Sequence, residues 1–85
     1  MKPVEFESRA LADLAWWIET DRAIARRLVR LLQELQRDPF AGSGKPEPLK
    51  HALAGCWSRR INSEHRLVYE VFPDRIKVLA CRYHY

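Results

Sequence analysis

The sequence lacks the long apolar run of about 20 residues that a membrane-spanning helix requires. Its first residues, 1–5, also lack the basic and then apolar order of a secretory signal. Only two cysteines are present, and thiols stay reduced in the cytosol. These absences predict a cytoplasmic protein with no membrane partner.

Metal-binding and nucleotide-binding signatures are missing as well. Cys56 and Cys81 do not have the paired spacing of a zinc knuckle, and the three histidines each lie on a different segment. Residues 42–45 read Gly-Ser-Gly-Lys, but the glycine spacing and the following Ser/Thr of a phosphate-binding P-loop are absent. We therefore expect no metal and no cofactor, and we expect both cysteines to be small buried hydrophobic residues.

The positive charge is concentrated in the second half of the chain. Eighty-five residues allow one domain, residues 1–85, and an apolar content of 47% excludes a disordered chain. Residues 1–40 contain seven basic and seven acidic side chains, whereas residues 41–85 contain eight basic and four acidic ones. Basic residues interleaved with aromatic ones favour a nucleic-acid partner. A solvated basic surface is the alternative.

Two helices are predicted after a short N-terminal strand. Val4 and Phe6 alternate with glutamates, as in an edge strand, and Ser8 can then cap a helix. Asp21 can cap a second helix, which stops at Asp38 before a proline. Apolar residues at helical spacing predict the buried stripes, which are Leu11, Leu14, Ala15 and Ile18 in the first helix and Ile24, Leu28, Leu31, Leu32 and Leu35 in the second.

The second helix also carries an arginine-rich face. A DNA-binding helix-turn-helix is one use for such a face, but nearby acidic residues match its charge. That match favours a solvated face or one covered by a partner protein. The arginines are Arg22, Arg26, Arg27 and Arg30.

Three strands are predicted in the second half of the chain, at residues 57–61, 65–72 and 75–83. Alternation along the middle strand assigns its side chains to two faces. We expect the helices to cover the face of Leu67, Tyr69 and Val71, and the face of Arg66, Val68 and Glu70 to be open to a ligand. The order β-α-α-β-β-β predicts an α+β two-layer fold with a helical hairpin packed on one face of a mainly antiparallel sheet.

Several polar residues together suit the cleavage of RNA by its own 2′-hydroxyl. That reaction needs a base, cations to bear the charge on phosphorus, and an acid for the leaving oxygen. Arginine binds phosphate through paired hydrogen bonds, and histidine can be charged near neutral pH. The candidates are Glu47, Lys50, His51, Arg59, Arg60, Arg66, His84 and Tyr85. A protein that binds RNA or the ribosome without cutting is the alternative.

Motifs in a fixed order closely resemble the YoeB (Txe) toxins of bacterial toxin–antitoxin pairs, within the RelE superfamily. They are Lys45-Pro46-Glu47-Pro48-Leu49-Lys50-His51, Trp57-Ser58-Arg59-Arg60-Ile61, Glu64-His65-Arg66-Leu67-Val68-Tyr69 and Ala80-Cys81-Arg82-Tyr83-His84-Tyr85. The sequence departs from that family at Cys56, where an aromatic residue is expected. We expect this change to alter packing beside the site and to leave the chemistry intact.

The resemblance implies a small microbial-ribonuclease-like fold and a metal-independent endoribonuclease, an mRNA interferase that cuts mRNA in the A site of the translating ribosome. By resemblance, Glu47 would be the general base and Arg66 the phosphate stabiliser. His84 would be the general acid, and Tyr85 would help to position the nucleotide.

The resemblance also implies contacts beyond the reacting groups. Lys50, Arg59 and Arg60, together with His51, would hold the RNA backbone or ribosomal RNA. The implied partners are a cognate antitoxin protein, the 70S ribosome with its mRNA, a second copy of the toxin in a homodimer and, together with the antitoxin, operator DNA.

Overall fold

Five strands and two helices form two layers in the computed structural model, which describes residues 1–83. The elements are β1 Val4–Phe6, α1 Ser8–Thr20, α2 Arg22–Arg37, β2 Glu47–Pro48, β3 Cys56–Arg60, β4 Arg66–Val71 and β5 Ile76–Ala80. The predicted order is confirmed, and the short strand β2 is added where a loop was expected. No helix within residues 1–83 is long and apolar enough to cross a membrane.

The sheet has the strand order β1-β5-β4-β3-β2. β1 pairs in parallel with β5, and the other neighbours pair antiparallel. The sheet is therefore mainly antiparallel, as predicted, and β1 lies at its edge. Because β1 and β2 occupy the two edges, the first strand of the chain and the Glu47 segment lie on opposite sides of the molecule.

The two helices pack against one face of the sheet. The predicted stripe of α2 is confirmed, with Leu28, Leu31 and Leu35 almost completely buried. In α1 the prediction was wrong by one position, because Leu11 and Ile18 are 58% and 49% exposed. The buried residues are instead Ala10, Asp13 and Trp17, with Leu14 partly buried against the core.

Polar contacts explain the orientation of α1. The Asp13 carboxylate accepts the Cys81 backbone N–H at 3.0 Å, and the Trp17 indole N–H donates to the Cys81 carbonyl at 2.7 Å. These bonds are buried, so the face of α1 that makes them must point inward even though it includes an aspartate.

The predicted helix caps have mixed outcomes. The Asp21 side chain accepts the Ile24 N–H at 3.2 Å, which confirms it as the cap of α2. Ser8 does not cap α1, because Ser8 is already helical and Glu7 occupies the cap position without a side-chain bond.

Both faces of the sheet contain buried side chains. Leu67 and Tyr69 point toward the helices and are completely buried, as predicted. Val68 points to the opposite face but is only 1% exposed, so that face is less open than expected. A cleft lies at the end of this face near Arg66 and β2.

Cys56 and Cys81 are buried free thiols, as predicted. Burial, reinforced by the Asp13 carboxylate, raises the pKa of the Cys81 thiol to about 12. Burial also raises the pKa of Cys56, with a smaller contribution from Glu70. Both thiols therefore remain protonated and unreactive in the native protein at neutral pH.

We expect the free energy of unfolding to fall as the pH rises from about 9 toward about 12. Between these pH values the unfolded chain releases the Cys81 proton while the native protein retains it. The contribution of the protonated thiol to the free energy of unfolding is therefore complete below this pH range and is lost progressively as the pH rises across it. Denaturant titrations at several pH values measure the slope of the free energy of unfolding against pH. Cys81→Ala should make the slope shallower without removing it, because burial also raises the pKa of Tyr69. An unchanged slope in Cys81→Ala would contradict the assignment.

Candidate active site

Glu47 and Arg66 meet on the sheet face opposite the helices. Strand register places Glu47 opposite Ser58, and Ser58 opposite Val68, so these residues form one row across β2, β3 and β4. Arg66 Nη1 donates to Glu47 Oε1 at 2.6 Å and to Ser58 Oγ at 3.3 Å. The structure thus brings together a carboxylate and a guanidinium that are 19 positions apart in the chain.

A small cleft of about 120 Å³ lies beside this ion pair. Its lining residues are Glu47, Leu49, Ser58, Arg66 and Val68. The Glu47 side chain is 54% exposed and that of Arg66 is 25% exposed, so both polar groups can be reached from solvent. A carboxylate able to accept a proton and a fixed cation are therefore adjacent at an accessible position.

Lys50 and His51 closely follow β2 in the chain, Arg60 is the last residue of β3, and all three are exposed. Lys50 and His51 lie at the start of a 3-10 turn, His51–Leu53, that follows β2. His51 has a φ of +59°, a left-handed conformation that is uncommon for residues other than glycine. Arg60 is directly opposite Arg66 in the β3–β4 pair. Lys50 and Arg60 add positive charge to the segments that supply the cleft residues, and such cations commonly contact a nucleic-acid backbone.

Arg59 is not available to RNA, in contrast to its neighbour Arg60. Its side chain is completely buried, and its guanidinium donates to the carbonyl groups of Asp38, Ala41 and Ser43. Because side chains alternate along β3, Arg59 points to the face that carries Trp57 and not to the cleft. The prediction that Arg59 holds RNA was therefore wrong.

The segment before the last two residues is bonded to the site. The Arg66 N–H donates to the Tyr83 carbonyl at 2.8 Å, and the Tyr83 N–H donates to His65 Nδ1 at 2.6 Å. His65 also packs edge-on against Trp17, with ring centroids 4.8 Å apart. The predicted site residues His84 and Tyr85 follow Tyr83 and lie outside the described residues.

Sequence reasoning missed Ser58 and Asp13, and it did not identify the partners of His65. Ser58 shares a strand face with Arg60, so period-2 alternation was the signal that could have placed it beside the cleft. Asp13 and His65 hold the C-terminal segment, and no sequence pattern indicated those contacts.

Among residues 1–83, no group of three or more His, Cys, Asp or Glu side chains is arranged to hold a metal ion. The polar groups of the cleft are instead an ion pair with one hydroxyl group. A carboxylate, a guanidinium and a hydroxyl group in contact can take part in proton transfer and electrostatic stabilisation.

Comparison with known proteins gives consistent results. A family model for the YoeB-like toxin of bacterial type II toxin-antitoxin systems matches residues 6–85. Toxin YoeB of Mycobacterium bovis is 53% identical over 85 residues, which is 100% of both chains. A solved YoeB/ParE toxin from Agrobacterium tumefaciens is 42% identical, with a TM-score of 0.93 over 100% of both chains.

Two solved structures from Staphylococcus aureus are also similar. A YoeB dimer is 40% identical, with a TM-score of 0.91 over 99% of this chain and 98% of that one. A YoeB-YefM complex is 38% identical, with a TM-score of 0.89 over 100% and 99%. These similarities confirm the predicted fold class. The chain belongs to the family of YoeB-like toxins of bacterial type II toxin–antitoxin systems.

Proposed function

We propose that this protein is a ribosome-dependent endoribonuclease that cleaves mRNA in the ribosomal A site and thereby inhibits translation. The observation that carries the proposal is the contact of 2.6 Å between Glu47 and Arg66 at an accessible cleft. The reaction needs a base beside the 2′-hydroxyl and a cation beside the adjacent phosphate, and these two groups must lie close together.

The reaction begins at the 2′-hydroxyl of the nucleotide before the scissile bond. Glu47 takes the hydroxyl proton, and the 2′-oxygen attacks the adjacent phosphorus. The bond from phosphorus to the 5′-oxygen breaks as the new bond forms, which leaves a 2′,3′-cyclic phosphate and a 5′-hydroxyl. A 3′-phosphate results if the cyclic product is hydrolysed. In this route side chains supply the base, the acid and the cation, so it requires no cofactor.

The other catalytic and binding roles are assigned from the charge and polarity of the remaining candidate residues. Arg66 stabilises the negative charge on the phosphorane, for which its planar donor groups are suited. His84, one residue after Tyr83, donates the proton to the leaving 5′-oxygen, and Tyr85 helps to position the nucleotide. Lys50, His51 and Arg60 bind the RNA backbone or ribosomal RNA through their charged or polar side chains.

The partners of the protein follow from the family and from the charge. We propose a cognate antitoxin and a homodimer, because similar toxins from S. aureus are solved as a YoeB-YefM complex and as a dimer. The proposed substrate is mRNA on the 70S ribosome, and we therefore propose a cytoplasmic location. With its antitoxin, the protein would also bind operator DNA.

Primer extension on a defined message tests the proposal. The message is presented either free or on programmed 70S ribosomes, with wild-type protein and with His84→Ala. We expect a new primer-extension stop, which marks a new RNA 5′ end inside the A-site codon. The stop should depend on ribosomes and be strongly reduced in His84→Ala, because loss of a general acid typically costs about 10²–10⁴-fold in rate.

Two results would contradict the proposal. Ribosomes that stall on intact mRNA would indicate a translation inhibitor that acts by binding alone. Wild-type cleavage by both His84→Ala and Glu47→Ala would show that the assigned acid and base are wrong. Salt dependence does not separate these cases, because a binder and an enzyme would both neutralise phosphates.

A further inference from the structure

Arg59 connects strand β3, beneath the cleft, to the loop that leads into Glu47. We propose that Arg59 is a positioning residue that fixes the Glu47 carboxylate by holding residues 38–46 in one conformation. The inference rests on the proposed role of Glu47 and adds to the site a side chain that lies on the other face of the sheet.

The charge of Arg59 is completely buried. Arginine does not lose its proton in proteins, so its charge must be compensated where it lies. Nη2 donates to the carbonyls of Asp38 and Ala41, both at 2.7 Å, and Nη1 donates to the carbonyl of Ser43 at 3.3 Å. Because an apolar side chain fills a core without desolvating a charge, packing alone does not account for an arginine here.

The loop is tied to the sheet beside Arg59 as well. Tyr69 Oη accepts from Arg59 Nε at 3.2 Å and donates to the carbonyl of Pro39. The Gly44 carbonyl accepts the Arg60 backbone N–H at 2.6 Å. Bonds from β3 and β4 therefore reach the loop at several points along its length, and the Arg59 guanidinium lies among them.

Glu34, on helix α2, contacts both the loop and Arg59. Its carboxylate accepts the Ser43 N–H at 2.9 Å and lies 3.7 Å from Arg59 Nη1. That backbone bond and the Arg59 charge lower the pKa of Glu34, so it stays ionised. Gly42 lies directly against both groups, because a Cβ there would be 2.7 Å from Glu34 Oε1 and 3.0 Å from Arg59 Nη1. The loop backbone is fitted closely to this pair.

The position of Glu47 depends on this loop because strand β2 is too short to hold Glu47 in place by itself. It contains two residues, both exposed, and lies at the edge of the sheet. Ser58 and Arg59 are neighbours on β3 with side chains on opposite faces, one at the cleft and one at the loop. A shift of about 1 Å in a reacting group can cost about 10²-fold in rate. Arg59 thus acts on the reaction through the loop.

Arg59→Lys tests the proposal, because lysine keeps the charge but has no planar fork to hold carbonyl groups in different directions. In single-turnover cleavage on programmed ribosomes, we expect the maximal rate constant to fall about 10-fold to 10²-fold. The half-saturating ribosome concentration should change by less than about twofold. Arg27→Lys is the control for the loss of an arginine-to-carbonyl bond outside the loop, since Arg27 donates to the Ile61 carbonyl, and it should keep the wild-type rate.

A double mutant separates positioning from general stability. In a Glu47→Ala background, Arg59→Lys should cause no further loss of rate, because there is no carboxylate left to position. An equal loss in both backgrounds would overturn the proposal in favour of a purely structural role. A raised half-saturating concentration with an intact rate constant would overturn it in favour of direct RNA binding.

Amide hydrogen exchange tests the loop without measuring activity. Arg59→Lys should speed exchange of the Ser43 and Leu49 amides by about tenfold or more, while the Cys81 amide, bonded to Asp13, should be unchanged. Unchanged loop exchange would overturn the proposal. Faster loop exchange together with wild-type cleavage by Glu47→Ala would instead contradict the proposed base and leave the loop-holding role of Arg59 in place.

Discussion

Replacement of Arg66 with alanine is expected to lower the rate of mRNA cleavage on ribosomes by about 10²–10³-fold, the usual cost of removing one preorganised donor from a transition state. The loss has two physical sources. The phosphorane loses its cation, and Glu47 loses the partner that holds its carboxylate at 2.6 Å. Single-turnover cleavage of a programmed message measures the effect directly.

Arg66→Lys should recover only part of this loss. A lysine can supply the charge, but it cannot contact Glu47 and Ser58 with the geometry of the planar fork. The control is Arg75→Ala, because Arg75 pairs with Glu5 and Asp74 near the opposite edge of the sheet. We expect this control to cleave at the wild-type rate. Wild-type activity in Arg66→Ala would remove Arg66 from the reaction.

Trp17→Ala is expected to lower the free energy of unfolding by about 3–5 kcal/mol, as for other large aromatic residues removed from cores. Trp17 is only 5% exposed, and its indole N–H donates to the Cys81 carbonyl. A loss of this size is a large part of the stability of a small protein. Equilibrium unfolding in denaturant, followed by circular dichroism, measures it.

The adjacent tryptophan provides the control for this prediction. Trp16 is 38% exposed and contacts Arg82 through its ring face, so Trp16→Ala should cost only about 1 kcal/mol. Trp17→Phe should be intermediate, because it keeps most of the apolar contact but leaves the Cys81 carbonyl without its donor. Equal losses in Trp16→Ala and Trp17→Ala would show that the buried contacts of Trp17 are not the cause.

The helices show what apolar spacing can and cannot predict. In α2 the leucines lie on one face and the arginines on another, so the pattern indicated the buried side correctly. In α1 a second stripe, displaced by one residue, contains Asp13 and was therefore overlooked. Its burial depends on Cys81, which is 68 positions away, and no local pattern reports a hydrogen bond over that distance.

Site residues could be predicted where the residue type suits the reaction and strand alternation places the side chain on the face away from the helices. The sequence indicated Glu47 and Arg66 as candidates, and strand alternation was enough to place Arg66 away from the helices. Arg59 and Arg60 looked equivalent because they are adjacent and share a charge. Only the path of residues 38–46, which surrounds one of them with carbonyl groups, distinguishes a buried arginine from an exposed one.

The parallel pairing of β1 with β5 has a consequence for the order in which this chain can fold. β1 has a single neighbour in the sheet, and α1 is bonded through Asp13 and Trp17 to Cys81, immediately after β5. During synthesis the pairing of β1 and the bonds from α1 to Cys81 must therefore wait for residues 76–81, and such long-range closure slows folding. A ribosome making this toxin completes β5 before the folded site can form.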